Sequence, residues 1–291
     1  MASTTHTRLW IPAFAGMTDS KPTFRKGKLG DYYPYLSSPG SLVATVTVKN
    51  QMAGHAVPSG EPMGQLMVLV TATDGAGTPV LPADGQVIPD IGGSLAVRTL
   101  GEDITIEGTA LSAPGASLDG ATVVRIARPT GEWVDYPGPG VGWFSETGTS
   151  AEDKGLPDLG FIAQLQVDST AGDSAILAAA PGALEHGDLV FIGRTDHAAG
   201  APGWLFAKTM ADAEGRRGVA HYRAVDIASD NRIAPRGEGV SQHGFAMPAD
   251  GESLTVTATL IKRPYPSALA DSYGWPVSDL VLRTSEQTYS P

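Results

Sequence analysis

The chain of 291 residues carries a formal net charge of −11 and contains no cysteine. The acidic charge argues against nucleic-acid binding, because a phosphate-binding surface needs clustered Lys and Arg side chains. The lack of cysteine excludes disulfides, thiolate zinc sites, iron–sulfur clusters and haem attached covalently to this chain.

Glycine and proline are abundant, at 36 and 22 residues, and they are spread along the chain rather than gathered in one block. This distribution is typical of many turns between short strands, not of disorder. No window reaches the 18 consecutive apolar residues that a transmembrane helix needs, so no transmembrane segment is predicted.

The first twenty residues, MASTTHTRLWIPAFAGMTDS, hold a short apolar patch broken by Pro12 and Gly16. They lack the basic start and the long apolar core of a secretory signal. The string HTRLWIPAFAGMT is also similar to the translation of a short palindromic repeat found in many bacterial genomes. Residues 1–20 are therefore expected to be unstructured or non-native.

Two strands are predicted next, in SLVATVTVKN (41–50) and QLMVLVTATD (65–74). The first alternates, with one apolar face formed by Leu42, Ala44, Val46 and Val48. The second is apolar on both faces over 66–70, which is typical of a central strand covered on both sides. Asp74-Gly75-Ala76-Gly77 then predicts a turn.

Shorter strand candidates fill the middle of the chain, at 95–100, 104–108, 121–127, 161–167, 174–178 and 189–193. The segment 203–217, GWLFAKTMADAEGRR, has helical spacing and a stop at Gly215. Near the end, ESLTVTATLIKR (252–263) is the cleanest alternation in the chain, with Leu254, Val256, Ala258 and Leu260 predicted to face inward.

These patterns predict an all-β fold: an antiparallel β-sandwich with a β-rich middle insertion and at most one or two short helices. Because similar strands stand early and late in the chain, residues 21–83 and 196–291 are predicted to form one discontinuous sandwich domain. Residues 84–195 would be the inserted subdomain. No repeat of 20–50 residues is visible, which disfavours solenoids and propellers.

Four segments together resemble the C-terminal region of bacterial multihaem c-type cytochromes. They are VTVKNQMAGHAVPSGEP (46–62), LVTATDGAGTPV (69–80), AVDIASDNRIAPRGE (224–238) and VTATLIKRPYP (256–266). The resemblance covers about 24–81 and 203–266. It implies a β-sandwich beside a haem-bearing part, and a periplasmic or extracellular location. This chain departs from those proteins in having no CxxCH motif.

His55, in the loop NQMAGHAVPSGEP, is the sharpest candidate residue. The resemblance implies that it could be an axial ligand to a haem held by a partner chain, such as a multihaem cytochrome. The alternative, which we favour on sequence alone, is that its ring hydrogen-bonds neighbouring backbone and shapes the loop from Gly54 to Gly60.

Two further sets of residues are candidates for a divalent metal. His197 and His221 flank the resembling segments and could converge with His55 on zinc or copper. Asp226 and Asp230 are oxygen ligands of the kind that calcium uses, although no EF-hand loop is present. The alternative is that Asp230 or Asp226 pairs with Arg232 while the Asn-Arg segment shapes a turn before a strand, and we favour that simpler interpretation.

A Pro- and Gly-rich stretch, 131–148, gathers four aromatic residues: Trp133, Tyr136, Trp143 and Phe144. Such side chains are common at interfaces and in carbohydrate-binding clefts, so the stretch is a candidate site for a protein partner or a glycan. The alternative is a long loop that its aromatic side chains fix onto the sandwich.

The sequence holds no GxSxG element, glycosidase carboxylate pair or phosphate-binding glycine loop, so an enzyme is not predicted. The resemblance implies a haem-free accessory or interaction module of an extracytoplasmic multihaem cytochrome assembly. The alternatives are a carbohydrate- or surface-binding module that uses residues 131–148, and the remnant of a split cytochrome gene.

Overall fold

A computed structural model describes residues 5–13, 41–60, 63–134, 156–248, 252–276 and 279–290. Strands dominate this part of the chain, and its one α-helix is α1 (Ser267–Tyr273). The prediction of an all-β, sandwich-like fold with antiparallel sheets and at most one or two short helices is confirmed. No helix in the described ranges is long and apolar enough to cross a membrane.

The described strands form three sheets. The four-stranded sheet has the order β1 (Thr5–Ala13), β2 (Ser41–Asn50), β15 (Glu238–Ala246) and β5 (Asp84–Gly85). The six-stranded sheet has the order β14 (Asp226–Asp230), β13 (Gly203–Ala211), β3 (Gln65–Asp74), β16 (Leu254–Arg263) and β17 (Leu280–Tyr289), with β4 (Pro79–Val80) paired to β3. The seven-stranded sheet has the order β6 (Ala96–Thr99), β12 (Leu189–Gly193), β9 (Val123–Val134), β10 (Leu156–Ala171), β11 (Ser174–Leu177), β8 (Ala110–Ser112) and β7 (Thr105–Glu107).

The core of the sandwich lies between the four-stranded and the six-stranded sheets. It contains the inward residues that the alternation predicts for β2 and β16, namely Leu42, Ala44, Val46, Val48, Leu254, Val256, Ala258 and Leu260. Alternate residues point to one face of a strand, so a period of two in the sequence becomes one continuous apolar layer.

The central strand β3 is buried on both of its faces, as its apolar composition predicts. Leu66, Val68 and Val70 pack into the sandwich core. Met67 lies on the other face in a second cluster with Ile88, which belongs to the segment that follows β5. Chain segments that come just before and just after the seven-stranded sheet in sequence, around residues 88–91 and 198, therefore cover the outer face of the six-stranded sheet.

All strands of the seven-stranded sheet lie between residues 96 and 193, inside the predicted insertion. Its own apolar cluster includes Leu111, Ile126 and Ile192. Strand β5 differs from the predicted division of the chain. It lies at the start of the predicted insertion but pairs with β15 of the four-stranded sheet, through His243 opposite Gly85.

The segment 203–217 was predicted to be helical, and this prediction is wrong. Residues 203–211 form β13, an antiparallel strand between β3 and β14. Phe206 packs into the sandwich core and Leu205 into the cluster on the opposite face. The apolar residues therefore alternate between two buried layers, and a run buried on both faces carries no clear period by which to separate strand from helix.

Residues 5–13 also differ from the expectation of an unstructured N-terminal segment. They form β1, which pairs in parallel with β2 from Thr5 opposite Leu42 to Ala13 opposite Asn50. Strand pairing uses backbone N–H and C=O groups, so the edge of a sheet can recruit a segment that carries no clear side-chain alternation.

Candidate functional site

The loop after β2 is held by the side chain of its last residue, Asn50, which is 1% exposed. The Asn50 amide donates to the carbonyl oxygens of His55 at 2.8 Å, Ile233 at 3.2 Å and Ala234 at 3.1 Å. The Oδ1 atom of Asn50 accepts from the backbone N–H of Ala53 at 3.1 Å. Each donor and acceptor of this buried amide is therefore used to fix the loop.

Backbone pairing fixes the far end of the same loop. The N–H of Val57 donates to the carbonyl of Ile233 at 2.9 Å, and the N–H of Ile233 donates to the carbonyl of Val57 at 2.8 Å. Two of the segments that carry the cytochrome resemblance, 46–62 and 224–238, are therefore neighbours in the fold.

The side chain of His55 is exposed at the outer end of this fixed loop. Its Nδ1 atom lies 3.2 Å from the carbonyl oxygen of Ala56. A carbonyl oxygen can only accept, so this contact places the proton on Nδ1 and leaves the lone pair of Nε2 free. Among the described residues, the loop-shaping role predicted for the ring is thus limited to one local contact.

A second histidine of the metal prediction, His197, lies in the loop after β12 and is close to a carboxylate. It is 2% exposed, and its Nε2 atom lies 3.6 Å from Oδ2 of Asp271 on α1. Its Nδ1 atom faces the N–H of Arg194 at 3.4 Å. Burial, followed by the positive charge of Arg194, lowers the pKa of His197, so the ring is neutral at neutral pH.

The remaining residues of the metal prediction have other surroundings. His221 is exposed in a short 3-10 turn, His221–Arg223. Asp230 is buried, and both of its carboxylate oxygens bond the guanidinium of Arg232, at 2.7 and 2.5 Å. Asp226 accepts from the backbone N–H of Ile227 at 2.8 Å. For Asp230, the ion pair that we favoured on sequence is present.

No group of three or more His, Asp or Glu side chains converges on a point that could hold a metal ion, within the ranges that the structure describes. His55, His197 and His221 are accordingly not brought together. A site for calcium, zinc or copper on these residues stays a prediction from sequence, and the geometry does not strengthen it.

The aromatic stretch 131–148 falls mostly outside the described residues. Trp133 is part of β9, where it is paired with Pro157 of β10. Tyr136, Trp143 and Phe144 lie beyond the described ranges. The glycan or protein contact proposed for this stretch stays a prediction.

Sequence reasoning missed several buried basic side chains, among them His243 and Arg125. His243 on β15 is fully buried, its Nε2 atom lies 3.1 Å from Oγ of Ser241, and its Nδ1 atom has no partner in the described structure. Burial lowers its pKa to about 3. The buried guanidinium of Arg125 donates to Oε1 of Gln164 and to the carbonyls of His197 and Ala199. Both residues stand in ordinary strand sequences, where no motif indicates them.

Comparisons with known proteins leave the family of this chain open. No protein-family model matches it, and no curated protein matches it. Among solved structures it is similar to a penta-heme cytochrome c552 from Thermochromatium tepidum, with 12% identity and a TM-score of 0.37. The match covers 92% of this chain and 38% of the cytochrome chain, so this chain spans well under half the length of that protein. A similarity this weak carries no argument about fold or function.

Proposed function

We propose that the protein is a haem-free accessory module of an extracytoplasmic multihaem cytochrome assembly, and that it docks through the loop 50–60. The observation that carries the proposal is the setting of His55: an exposed imidazole whose Nδ1 atom lies 3.2 Å from the carbonyl oxygen of Ala56, an arrangement that suits a proton on Nδ1 and a lone pair on Nε2. An imidazole that donates its other N–H to a backbone carbonyl has the arrangement found in metal-ligating histidines.

The frame of the loop supports the same role. An axial ligand must be held in one orientation, since a mobile ring loses conformational entropy when it coordinates the iron. Asn50 and the Val57–Ile233 pair fix both ends of the loop to the sandwich. The ring can therefore approach the open face of a haem without rearrangement of the sandwich.

In this proposal the chain supplies the imidazole of His55. Because the chain has no cysteine, the haem would belong to the partner. In such an assembly His55 would provide the sixth ligand to an iron that the cytochrome leaves five-coordinate. Low-spin, six-coordinate haem has a different absorption spectrum from five-coordinate haem, which makes the proposal measurable.

The first experiment is affinity capture from an extract of the source organism with the tagged protein, followed by haem staining and mass spectrometry. The expected result is a haem-stained partner that carries several CxxCH motifs. Recovery of no haem protein, at a salt concentration that preserves weak complexes, would overturn the accessory role.

The second experiment compares His55→Ala with His186→Ala in the purified complex. His186 is also an exposed histidine in a turn, but it lies in the seven-stranded-sheet region. We expect only His55→Ala to convert one haem from a low-spin to a high-spin spectrum. If the two variants leave the same spectrum as the unchanged protein, His55 is not a ligand, while docking is judged separately by the capture experiment.

A further inference from the structure

Four aromatic side chains form a contiguous group on the surface beside α1, which we call the aromatic platform: Tyr222, Tyr265, Tyr273 and Trp275. The rings of Tyr273 and Trp275 are stacked, with centroids 4.9 Å apart and planes 20° from parallel. Tyr265 lies against Trp275 at 5.2 Å with a tilt of 58°. The hydroxyl groups of Tyr222 and Tyr273 are 2.6 Å apart.

The local fold brings Tyr273 and Trp275 together although they are two residues apart. Helix α1 ends at Gly274, whose φ of 64° is in the left-handed region that favours glycine. This reversal returns the chain so that the N–H of Trp275 donates to the carbonyl of Ala270 at 2.9 Å. The two rings can then stack face to face.

Charged contacts anchor the helix that carries the platform. Asp271 accepts from the guanidinium of Arg194 at 3.2 Å, which joins α1 to the loop after β12. At the start of the helix, Ser267 bonds the buried Arg263. The rings are therefore held by a fixed support, and a ligand that stacks on them meets a surface that is already ordered.

The platform is open to solvent. Tyr222 is 60% exposed, Tyr273 is 41% exposed and Trp275 is 38% exposed. Buried aromatic side chains of this size remove about 150–250 Å² each from water, so leaving these three exposed costs stability that burial would supply. Exposed aromatic groups of this kind mark binding sites more often than scattered single residues do.

Polar groups border the exposed rings. One hydroxyl of the Tyr222–Tyr273 pair donates to the other, and the second hydroxyl keeps its proton for a ligand. The indole N–H of Trp275 donates to no acceptor in the part of the chain that the structure describes. The hydrogen bond to Tyr273 raises the pKa of Tyr222, so the Tyr222 hydroxyl is protonated at neutral pH. The four rings are thus uncharged and carry donors at their edge, with the charge of Arg223 close to Tyr222.

The size of the platform selects the kind of ligand. The exposed parts of the three rings amount to roughly 300 Å², at about 200 Å² for each whole side chain. A stable protein interface buries about 800 Å² on each partner. The platform is too small to be the core of such an interface, and its stacked pair offers an outer ring face of the size of one pyranose ring.

We propose that the aromatic platform binds a neutral polysaccharide of β-1,4-linked pyranose units, with a sugar ring stacked on the outer face of the Tyr273–Trp275 pair. A β-1,4-linked glucose unit carries its hydroxyl groups equatorially, so both faces of its ring present axial C–H groups that can lie on an aromatic face. The equatorial hydroxyls then meet the donors at the edge of the platform. The proposal is independent of the cytochrome role and uses residues other than those of 131–148.

The test is native gel electrophoresis of the full chain in gels that contain hydroxyethyl cellulose, with titration calorimetry against cellohexaose and chitohexaose. We expect retardation in the gel and binding of at least one oligosaccharide. Trp275→Ala should weaken binding at least tenfold, and Trp275→Phe, which keeps a ring, should retain part of it. Tyr222→Phe should weaken binding severalfold through the lost hydroxyl.

The control is Ile176→Ala, which removes an exposed apolar side chain of the seven-stranded sheet, and we expect wild-type binding from it. Thermal unfolding of each variant shows whether lost binding comes from lost folding. No binding to any of the three probes by the unchanged chain overturns the proposal, as does wild-type binding by Trp275→Ala. Loss on Trp143→Ala alone assigns the glycan to the stretch 131–148 instead. A dimer in light scattering that Trp275→Ala abolishes assigns the platform to a second copy and also overturns the proposal.

Discussion

The side-chain amide of Asn50 donates a hydrogen bond to the carbonyl oxygen of Ile233, 183 residues further along the chain, at 3.2 Å. This one bond joins the end of β2 to the segment that leads into β15. It explains why an asparagine closes the strand in NQMAGHAVPSGEP: the amide reaches two backbone segments at once, which an aspartate could not do, because a carboxylate has no N–H to donate.

Asn50→Ala should lower the free energy of unfolding by about 1–3 kcal/mol, because it removes the bonds of a buried amide and leaves the buried N–H of Ala53 and the carbonyl of His55 without that partner. Urea unfolding followed by circular dichroism measures the loss. Asn50→Asp should be at least as destabilising, since its carboxylate would face the same carbonyl oxygens. Wild-type stability in both variants would show that the loop is held in another way.

His55→Ala is the matched comparison within the same loop. The ring of His55 is exposed and makes one local contact, with Ala56. We expect a change within about 0.5 kcal/mol in the free energy of unfolding. A loss as large as that of Asn50→Ala would mean that the ring shapes the loop, and the ligand role would lose its structural support.

His243 should make the protein sensitive to acid. In the unfolded chain this imidazole binds a proton below its ordinary pKa of 6.5, but in the folded protein burial lowers the pKa to about 3. The contribution of neutral His243 to the free energy of unfolding is therefore fully present above pH 6.5. It is lost as the pH falls from 6.5 toward 3. The slope is at most about 1.4 kcal/mol per pH unit for one proton, and the whole loss is of the order of 4–5 kcal/mol.

His243→Gln removes the titration while it keeps an amide near Ser241, so the variant should show a shallower loss of stability between pH 6.5 and 4. Unfolding in urea at four pH values measures the slope. His186→Gln, at an exposed histidine, is the control and should keep the slope of the unchanged protein. An equal slope in His243→Gln would place the acid sensitivity on other groups.

Arg263 should be important for the attachment of α1. This side chain is almost fully buried, and its guanidinium bonds both carboxylate oxygens of Asp279, at 2.8 and 2.7 Å, as well as Ser267. Arg263→Met leaves that carboxylate without its partner, and we expect a loss of about 2–4 kcal/mol in the free energy of unfolding. The free energy of unfolding of Arg263→Lys should lie between those of Arg263→Met and the unchanged protein, since an ammonium group cannot bond two oxygens in a fork.

The control for this substitution is Arg283→Met, at an exposed arginine of β17. Its effect should be within about 0.5 kcal/mol. If the two methionine variants are equally stable, the bonds of Arg263 do not hold the helix, and the support described for the aromatic platform is wrong.

The pair Arg128 and Asp188 offers an asymmetric test in the seven-stranded sheet. The carboxylate of Asp188 is 1% exposed and accepts two bonds from Arg128, at 2.8 and 3.0 Å, whereas a third of the Arg128 side chain is exposed. Arg128→Ala should cost more than Asp188→Ala, because it leaves the buried charge behind. A double-mutant cycle should give a coupling of about 1–3 kcal/mol, and additive effects would contradict it.

The sandwich strands were predictable from the pattern of apolar residues. In β2 and β16 apolar and polar residues alternate, and in β3 both faces are apolar. The period of two in β2 and β16 placed Leu42 and Leu254 in the core correctly. The same logic failed at 203–217, where both faces of β13 are buried and chance positions of Leu205 and Lys208 mimic a helix. Helical spacing in a short window is weak evidence when the flanking residues are glycine and alanine.

The candidate site was predictable in position but not in geometry. Sequence indicated the loop around His55. The tautomer of its ring, however, depends on the carbonyl of Ala56, and only the folded loop places that carbonyl beside Nδ1. The aromatic platform was not predictable. Tyr265, Tyr273 and Trp275 are neighbours in sequence, but Tyr222 stands 51 residues before Tyr273. Contacts between distant segments are set by the tertiary fold, which no local pattern encodes.

The order of the strands also has a consequence in time. On the ribosome, β2 and β3 emerge early, but their partners β13, β15 and β16 emerge some 130 to 200 residues later. At about 5–20 residues per second this wait lasts on the order of 10–40 s. The seven-stranded sheet draws only on residues 96–193 and can form within the wait. A nascent chain thus carries a completed middle, while the apolar strands β2 and β3 still lack their partners β13, β15 and β16. In this form aggregation competes most strongly with folding and a chaperone has most to protect.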